Sequence, residues 1–299
     1  MNKKLINLIK IIIGILLIFY LINKVGLINI INIIKSINII YLPLILLLWL
    51  VNLLIGATNI KIMLLALGEK LSFTKTLKYY LKSWAYGLFL PGKLGELSII
   101  YFLKKENIGL SKGTIIAIID KMITFFVLFL IALFGLINIL NLKEIILVLF
   151  LISFVFVLSS LFLITSYGRR IIRTYILRHH SKEFKNFFKN LSYLFRSRKI
   201  FLLLNIFLTF LKWSLIFMIV YLLFSSVNYQ INFIILMSAV SIGIIISLIP
   251  ISISGLGVRE NSSLAVFMYY NVPSTTAGGI LLVHTLIRYI IGIIIFLVT

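Results

Sequence analysis

The residues of this chain best placed to do chemistry are charged side chains set inside apolar sequence: Glu96, Asp120, Lys121, Lys212, Arg259, Glu260 and Arg288. Two of the carboxylates end short glycine-bearing interruptions, Pro91-Gly92-Lys93-Leu94-Gly95-Glu96 and Ser252-Ile253-Ser254-Gly255-Leu256-Gly257-Val258-Arg259-Glu260, the second preceded by Pro250. Hydrocarbon offers no hydrogen bonds to an uncoiled backbone, so such breaks persist only where they border protein or a wet cavity. Two of them, one in each half, predict a substrate site near the bilayer midplane.

A charge at the centre of a membrane helix costs about 2.5–3.5 kcal/mol. These residues are therefore expected to face a bundle interior and to find partners. Five bases (Lys93, Lys121, Lys212, Arg259, Arg288) confront three acids (Glu96, Asp120, Glu260), a surplus that suits an anionic guest. Backbone N–H groups freed at the breaks add further donors for phosphate or carboxylate. His284 lies four residues before Arg288 on the same helical face. Lys10, near the start of the first apolar run, reaches the interface by snorkelling. A blander reading stands beside this one: ion pairs such as Glu260–Arg288 or Asp120–Lys212 fix helix packing, and the glycines only kink helices.

The elements that must hold these groups follow from composition. The chain has 299 residues, 62% of them hydrophobic, with a mean hydropathy of +1.19, outside the range of water-soluble domains. The fold class expected is all-α, a polytopic helical membrane protein forming one integral domain over residues 1–299. Continuous spans are predicted near 8–23, 38–60, 113–139, 145–166, 200–225 and 279–298. The first lacks a small-residue cleavage site and reads as a retained span. Cysteine is absent, which removes disulfides and thiolate sites. The adjacent His179 and His180 are poor ligands, so no metal and no cofactor is expected. A net charge of +22 without a soluble basic fold offers nothing to nucleic acid. Anionic membrane lipids are the simpler partner.

Segment 83–103 carries the first break. Were it to return to its own side, lysines from Lys61 to Lys112 and the basic loop near 167–199 would share one side, leaving Lys24, Lys35 and Lys143 on the other. A single crossing would put the 61–82 and 169–199 loops on opposite sides and violate the positive-inside rule. Re-entry is therefore predicted, with the basic side and the N-terminus cytoplasmic in a cell membrane. Phe184, Phe187, Phe188 and Leu191 recur at helical spacing in the basic loop, predicting an amphipathic surface helix. The second broken element covers about 232–271, where the run 262–270 is too short to cross. An inverted repeat is the expectation, with the two elements entering from opposite sides; a full crossing by 232–250 is the alternative.

At these motifs the chain resembles the flippase-like family named for the transmembrane region of lysylphosphatidylglycerol synthetase. The resemblance rests on Tyr86-Gly87 through Phe102 with its Pro-Gly-x-x-Gly-Glu core, on Pro250 with Gly255 to Glu260, and on the acid–base pair Asp120-Lys121. Ile99 stands where many members have arginine, and Thr124 where many have a second acid. The resemblance implies a stand-alone membrane domain, without the aminoacyltransferase domain, that moves an anionic phospholipid or polyisoprenyl-phosphate-linked lipid between leaflets. Carried over by position, Gly92, Gly95, Glu96, Gly255, Gly257, Arg259 and Glu260 would line the passage. Glu96 and Glu260 would hold cationic parts or protons, and Arg259, Lys212 and Arg288 would meet phosphate, with Asp120 beside them. Two other readings remain open: an ion- or proton-coupled solute transporter, and a non-catalytic subunit of lipid-linked glycan synthesis. No catalytic motif supports an enzyme.

Overall fold

The computed structural model of the protein describes residues 3–90, 94–136, 186–249 and 251–299. The expected span at 145–166, the basic stretch up to residue 185, and Pro91, Gly92, Lys93 and Pro250 lie outside the described residues. Among the described residues the chain is all-helical: α1 (Lys3–Val25), α2 (Leu27–Ser36), α3 (Leu42–Ala66), α4 (Phe73–Phe89), α5 (Ser98–Lys105), α6 (Leu110–Leu136), α7 (Phe187–Ser197), α8 (Lys199–Ser226), α9 (Phe233–Ser247), α10 (Val258–Tyr269) and α11 (Ser274–Val298). The protein is a polytopic helical membrane protein. Four of these segments, counting the 3₁₀ turn that leads into α3, are long and apolar enough to cross a bilayer, and α1 with α2 makes a fifth candidate, bent by 79°. Gly26 makes that bend with φ +87°, a conformation costly for any residue with a Cβ.

One pattern occurs twice. A long helix ends in a left-handed turn, a shorter helix follows, the chain breaks, a short helix returns, and a second left-handed turn leads into another long helix. In the first copy these are α3, Gly68, α4, the 3₁₀ turn Leu94–Leu97, α5, Asn107 and α6; in the second they are α8, Asn228, α9, the break before Val258, α10, Asn271 and α11. The turns match bond for bond. Glu69 N–H reaches back to Leu64 O and Tyr229 N–H to Phe224 O, while Ile108 N–H bonds Leu103 O and Val272 N–H bonds Phe267 O, each a Schellman closure. The helices that open the two hairpins are capped alike, by Ser72 Oγ and Asn232 Oδ1.

The copies are inverted. Down the centre, Asn38 N–H bonds Ser226 O, Asn52 Nδ2 donates to Lys212 O, and Asn59 Nδ2 donates to Thr209 Oγ1. Rising numbers on α3 meet falling numbers on α8, so the two helices are antiparallel. The hairpin after α3 and the hairpin after α8 therefore enter from opposite ends of the bundle. Both turn back: Tyr79 meets Glu106 and Ser83 meets Ser98 in the first, and Gly243 lies against Arg259 and Ser263 in the second. Helix α9, 15 residues long, spans about 22 Å at 1.5 Å per residue, short of the roughly 30 Å hydrocarbon core.

Each hairpin rests on the closing helix of the other copy, α4 against α11 and α9 against α6. The breaks touch, with Ser254 N–H donating to Leu90 O at 3.3 Å. Outward faces carry exposed Leu50, Phe207, Leu203, Ile290 and Ile294, the apolar skin that lipid requires. Helix α7 buries Phe187 and Leu194 and exposes its other face, as the amphipathic reading of that stretch predicts.

Candidate functional site

Where the two breaks meet, the structure encloses a cavity of about 890 Å³. Six charged groups line it: Glu96, Asp120, Lys121, Lys212, Arg259 and Arg288. Glu96 projects from the 3₁₀ turn that reverses the first hairpin. Its approach depends on two glycines. A Cβ on Gly95 would overlap the backbone of Tyr86 and Gly87, and one on Gly87 would displace the Glu96 side chain. The turn can therefore press its backbone on α4, which delivers the carboxylate to Lys121 on α6. Lys121 Nζ ion-pairs with Glu96 and lies 3.2 Å from Asp120 Oδ2, so one cation holds two acids.

The second hairpin offers a cation. Arg259 Nη2 donates to Glu260 Oε1 and to Thr285 Oγ1, the latter at 2.6 Å. Glu260 is fully buried; its other oxygen accepts from Gly257 N–H at 2.7 Å and Oε1 also takes the Thr285 hydroxyl at 2.6 Å. This carboxylate closes the N-terminus of α10, which favours negative charge, and holds Arg259 at the cavity wall. It does not itself line the cavity.

Gly95, Gly255 and Gly257 are likewise absent from the lining. Gly255 and Gly257, with φ of +72° and +77°, lie against Ser247 and against Gly14 and Leu17 of α1, so they fold the break tightly against its neighbours. Gly92 is outside the described residues. The ion pairs named from sequence, Glu260–Arg288 and Asp120–Lys212, are replaced by Glu260–Arg259 and Asp120–Lys121. Among the described residues Lys212 and Arg288 have no carboxylate within ion-pair distance; Lys212 Nζ is 5.7 Å from the Trp213 ring centroid and the Arg288 guanidinium 5.2 Å from that of Tyr289.

Aromatic residues complete the wall. Trp49 contacts Trp84 at 5.9 Å and stacks on His284 at 5.8 Å between centroids, and all three line the cavity with Trp213. The sequence reading did not select Trp49, Trp84 or Trp213. The signal was their depth, because membrane tryptophans normally sit at the interfaces, whereas Trp49 and Trp213 fall well inside α3 and α8. On the α6 side the lining includes Phe125, Phe126 and Leu130, which are exposed on the flank of the protein. Phe126 and Leu130 continue into an apolar groove of about 410 Å³ between α6 and α8, which Leu203, Phe207 and Phe210 also line.

Residues 7–295 match the family described as the lysylphosphatidylglycerol synthase TM region. The chain belongs to that family. Both glycine-bearing breaks and all six charged groups of the cavity fall inside the matched span. No curated protein matches the chain. For this member of the lysylphosphatidylglycerol synthase TM family, the structure thus places the charged residues selected from sequence around one hollow, apart from Glu260, which stands behind it, and Lys93, which lies outside the described residues.

Proposed function

We propose that the protein is a membrane lipid translocase, flippase-like, which moves an anionic phospholipid or a polyisoprenyl-phosphate-linked lipid between leaflets without modifying it. The observation that carries this reading is the pairing of a charged cavity with an open apolar flank. A headgroup needs compensating charge inside the bundle, supplied by Lys212, Arg259 and Arg288, while its chains need a hydrocarbon path. Phe125, Phe126 and Leu130 supply that path where the cavity meets the groove between α6 and α8. A carrier for a small solute has no use for an apolar opening on its flank, which favours the lipid over the solute reading.

The opposed hairpins support passage from either leaflet, since inverted elements meeting at one site are how repeat-built transporters expose it in turn. Membership of a family named for a lipid-modifying synthase adds to this. The basic residues of the first hairpin (Lys75, Lys78, Lys82, Lys104, Lys105) and Lys199 at the start of α8 share one end of the bundle. The positive-inside rule puts that end, and with it the start of α1, in the cytoplasm of a cell-membrane protein. The test is reconstitution into liposomes containing fluorescent phosphatidylglycerol, with dithionite added outside. Bleaching beyond the outer-leaflet half, lost in Arg259→Gln, is expected. Bleaching that stops at the outer leaflet with folded protein, for phosphatidylglycerol and polyprenyl phosphate alike, overturns the proposal.

A further inference from the structure

Outside the cavity, one face of α8 joins an apolar groove to a basic head. Lys199 opens the helix. Leu203, Ile206, Phe207 and Phe210 follow it and line the groove against Phe126 and Leu130 of α6. At 3.6 residues per turn these four and Lys199 fall on the same face. Asn205, Thr209 and Lys212 occupy the opposite face, buried against α3. Every described residue that lines the groove is apolar, and Leu203, Phe207 and Phe210 are exposed.

The head is a cluster of three bases. Arg196, Arg198 and Lys199 crowd the joint where α7 ends and α8 begins, and Arg196 and Lys199 are exposed. Arg198 Nε donates to Tyr193 Oη at 2.8 Å, and the guanidinium lies 5.5 Å from that ring's centroid. The group is thus positioned while its two Nη atoms have no acceptor among the described residues. From Lys199 to Phe210 the helix rises about 16 Å at 1.5 Å per residue. One leaflet contributes half of the roughly 30 Å hydrocarbon core, so the groove is as long as a leaflet is deep. Its α6 wall, at Phe126 and Leu130, is also a wall of the cavity.

We infer that this face of α8 is a docking site for an anionic phospholipid of the leaflet at the basic end of the bundle, with its phosphate at Arg198 and Lys199 and an acyl chain in the groove. A lipid without net charge makes the same chain contacts and gains less at the head, so the groove selects by charge. A lipid docked there waits beside the cavity, and its headgroup enters past Phe126 and Leu130. That loading role rests on the translocase reading; the occupancy of the groove does not.

The chain contains no cysteine, so one introduced thiol carries a single label. Leu204→Cys, at the edge of the groove, and Ile290→Cys, exposed on α11, are each labelled with bimane in the full chain. The labelled proteins go into nanodiscs of phosphatidylcholine and phosphatidylglycerol, one of the two brominated in its chains. Quenching then reports which lipid sits beside the label. Phosphatidylglycerol is expected to be enriched about fivefold at position 204, the worth of one basic residue beside an anionic lipid, and to show no enrichment at position 290. Arg198→Gln together with Lys199→Gln should abolish the enrichment and slow bleaching of fluorescent phosphatidylglycerol in the liposome assay several-fold. Equal enrichment at both positions, or enrichment that survives the double variant, overturns the docking site. Inorganic phosphate that displaces the brominated lipid at constant ionic strength overturns the lipid as its occupant. Enrichment without translocation in liposomes keeps the docking site and sinks the translocase. Translocation at the wild-type rate in the double variant, once enrichment is lost, sinks the loading role alone.

Discussion

Removing the Glu260 carboxylate should unfold the second hairpin before it alters any guest. The side chain is fully buried, and its two oxygens serve Gly257 N–H, Arg259 Nη2 and Thr285 Oγ1. Glu260→Ala orphans the Gly257 N–H, a loss of about 1–3 kcal/mol for a buried donor. It also leaves the Arg259 guanidinium without its counter-charge, and breaking a buried pair from one side costs about 3–5 kcal/mol. Even with partial relaxation, the expected loss is about 4 kcal/mol, a large share of the roughly 5–15 kcal/mol that holds a typical domain together. The assay is thermal unfolding in detergent, followed by circular dichroism, of Glu260→Ala, Arg259→Gln and the double variant. Neutralising both partners removes the uncompensated charge, so the double variant should be more stable than Glu260→Ala alone. A Glu260→Ala protein within about 1 kcal/mol of wild type, or a double variant whose losses simply add, would refute the assignment of Glu260 as the support of Arg259.

Other consequences are equally open to measurement. Gly95→Ala should lift the first break off Tyr86–Gly87 at about 1–3 kcal/mol of overpacking, reducing translocation; Gly68→Ala, whose Cβ meets nothing, should cost only the backbone strain and spare transport. Asn205→Leu removes the bond of Asn205 Nδ2 to Asn59 O at 3.3 Å and the one Asn205 Oδ1 accepts from Thr209 Oγ1 at 3.4 Å, and should cost about 1.2 kcal/mol at about 0.6 for each such bond in a membrane, read as a small drop in unfolding temperature. At the base of the first hairpin, hydrogen bonds from Lys75 and then Tyr79 hold the Glu106 carboxyl below its ordinary range. A depressed carboxyl stabilises the fold above its unfolded value of about 4.3 and ceases to do so as pH falls through the folded value. Protection from hydrogen exchange at Leu103–Ile108, relative to the intrinsic rate, should therefore fall as pH drops through the folded value, and Glu106→Gln should flatten that dependence.

Much of the architecture could be read from the residues because lipid permits few alternatives. Pro91–Glu96 and Pro250–Glu260 had to be breaks, and lysine placement forced the first to turn back. Five of the six expected spans coincide with observed helices, and 145–166 lies outside the described residues. The distribution of partners was not legible. Glu260 and Arg259 are adjacent in sequence, and nothing in one strand of text says that their side chains meet each other while Arg288 is left without an acid. The glycines misled in a related way. Gly95, Gly255 and Gly257 sit beside the charged residues in sequence, which suggested a lining role, yet their lack of a Cβ serves close approach to Tyr86, Ser247 and α1. The tryptophans went unselected because aromatic residues in apolar sequence look like ordinary core, and only the antiparallel register of α3 and α8 brings Trp49 and Trp213 to one hollow.

Because α4 leans on α11 and α9 on α6, the molecule is interlocked across its own halves, and this sets the order in which it can mature. The first hairpin leaves the ribosome long before Ser274 opens the helix on which it will rest. Until that helix arrives, Glu96 and the bared peptide groups near Leu90 must be sheltered by water or by the insertion machinery. Neither half can be expected to mature by itself. Two fragments divided within the 137–185 stretch should be degraded when made singly and survive when made together.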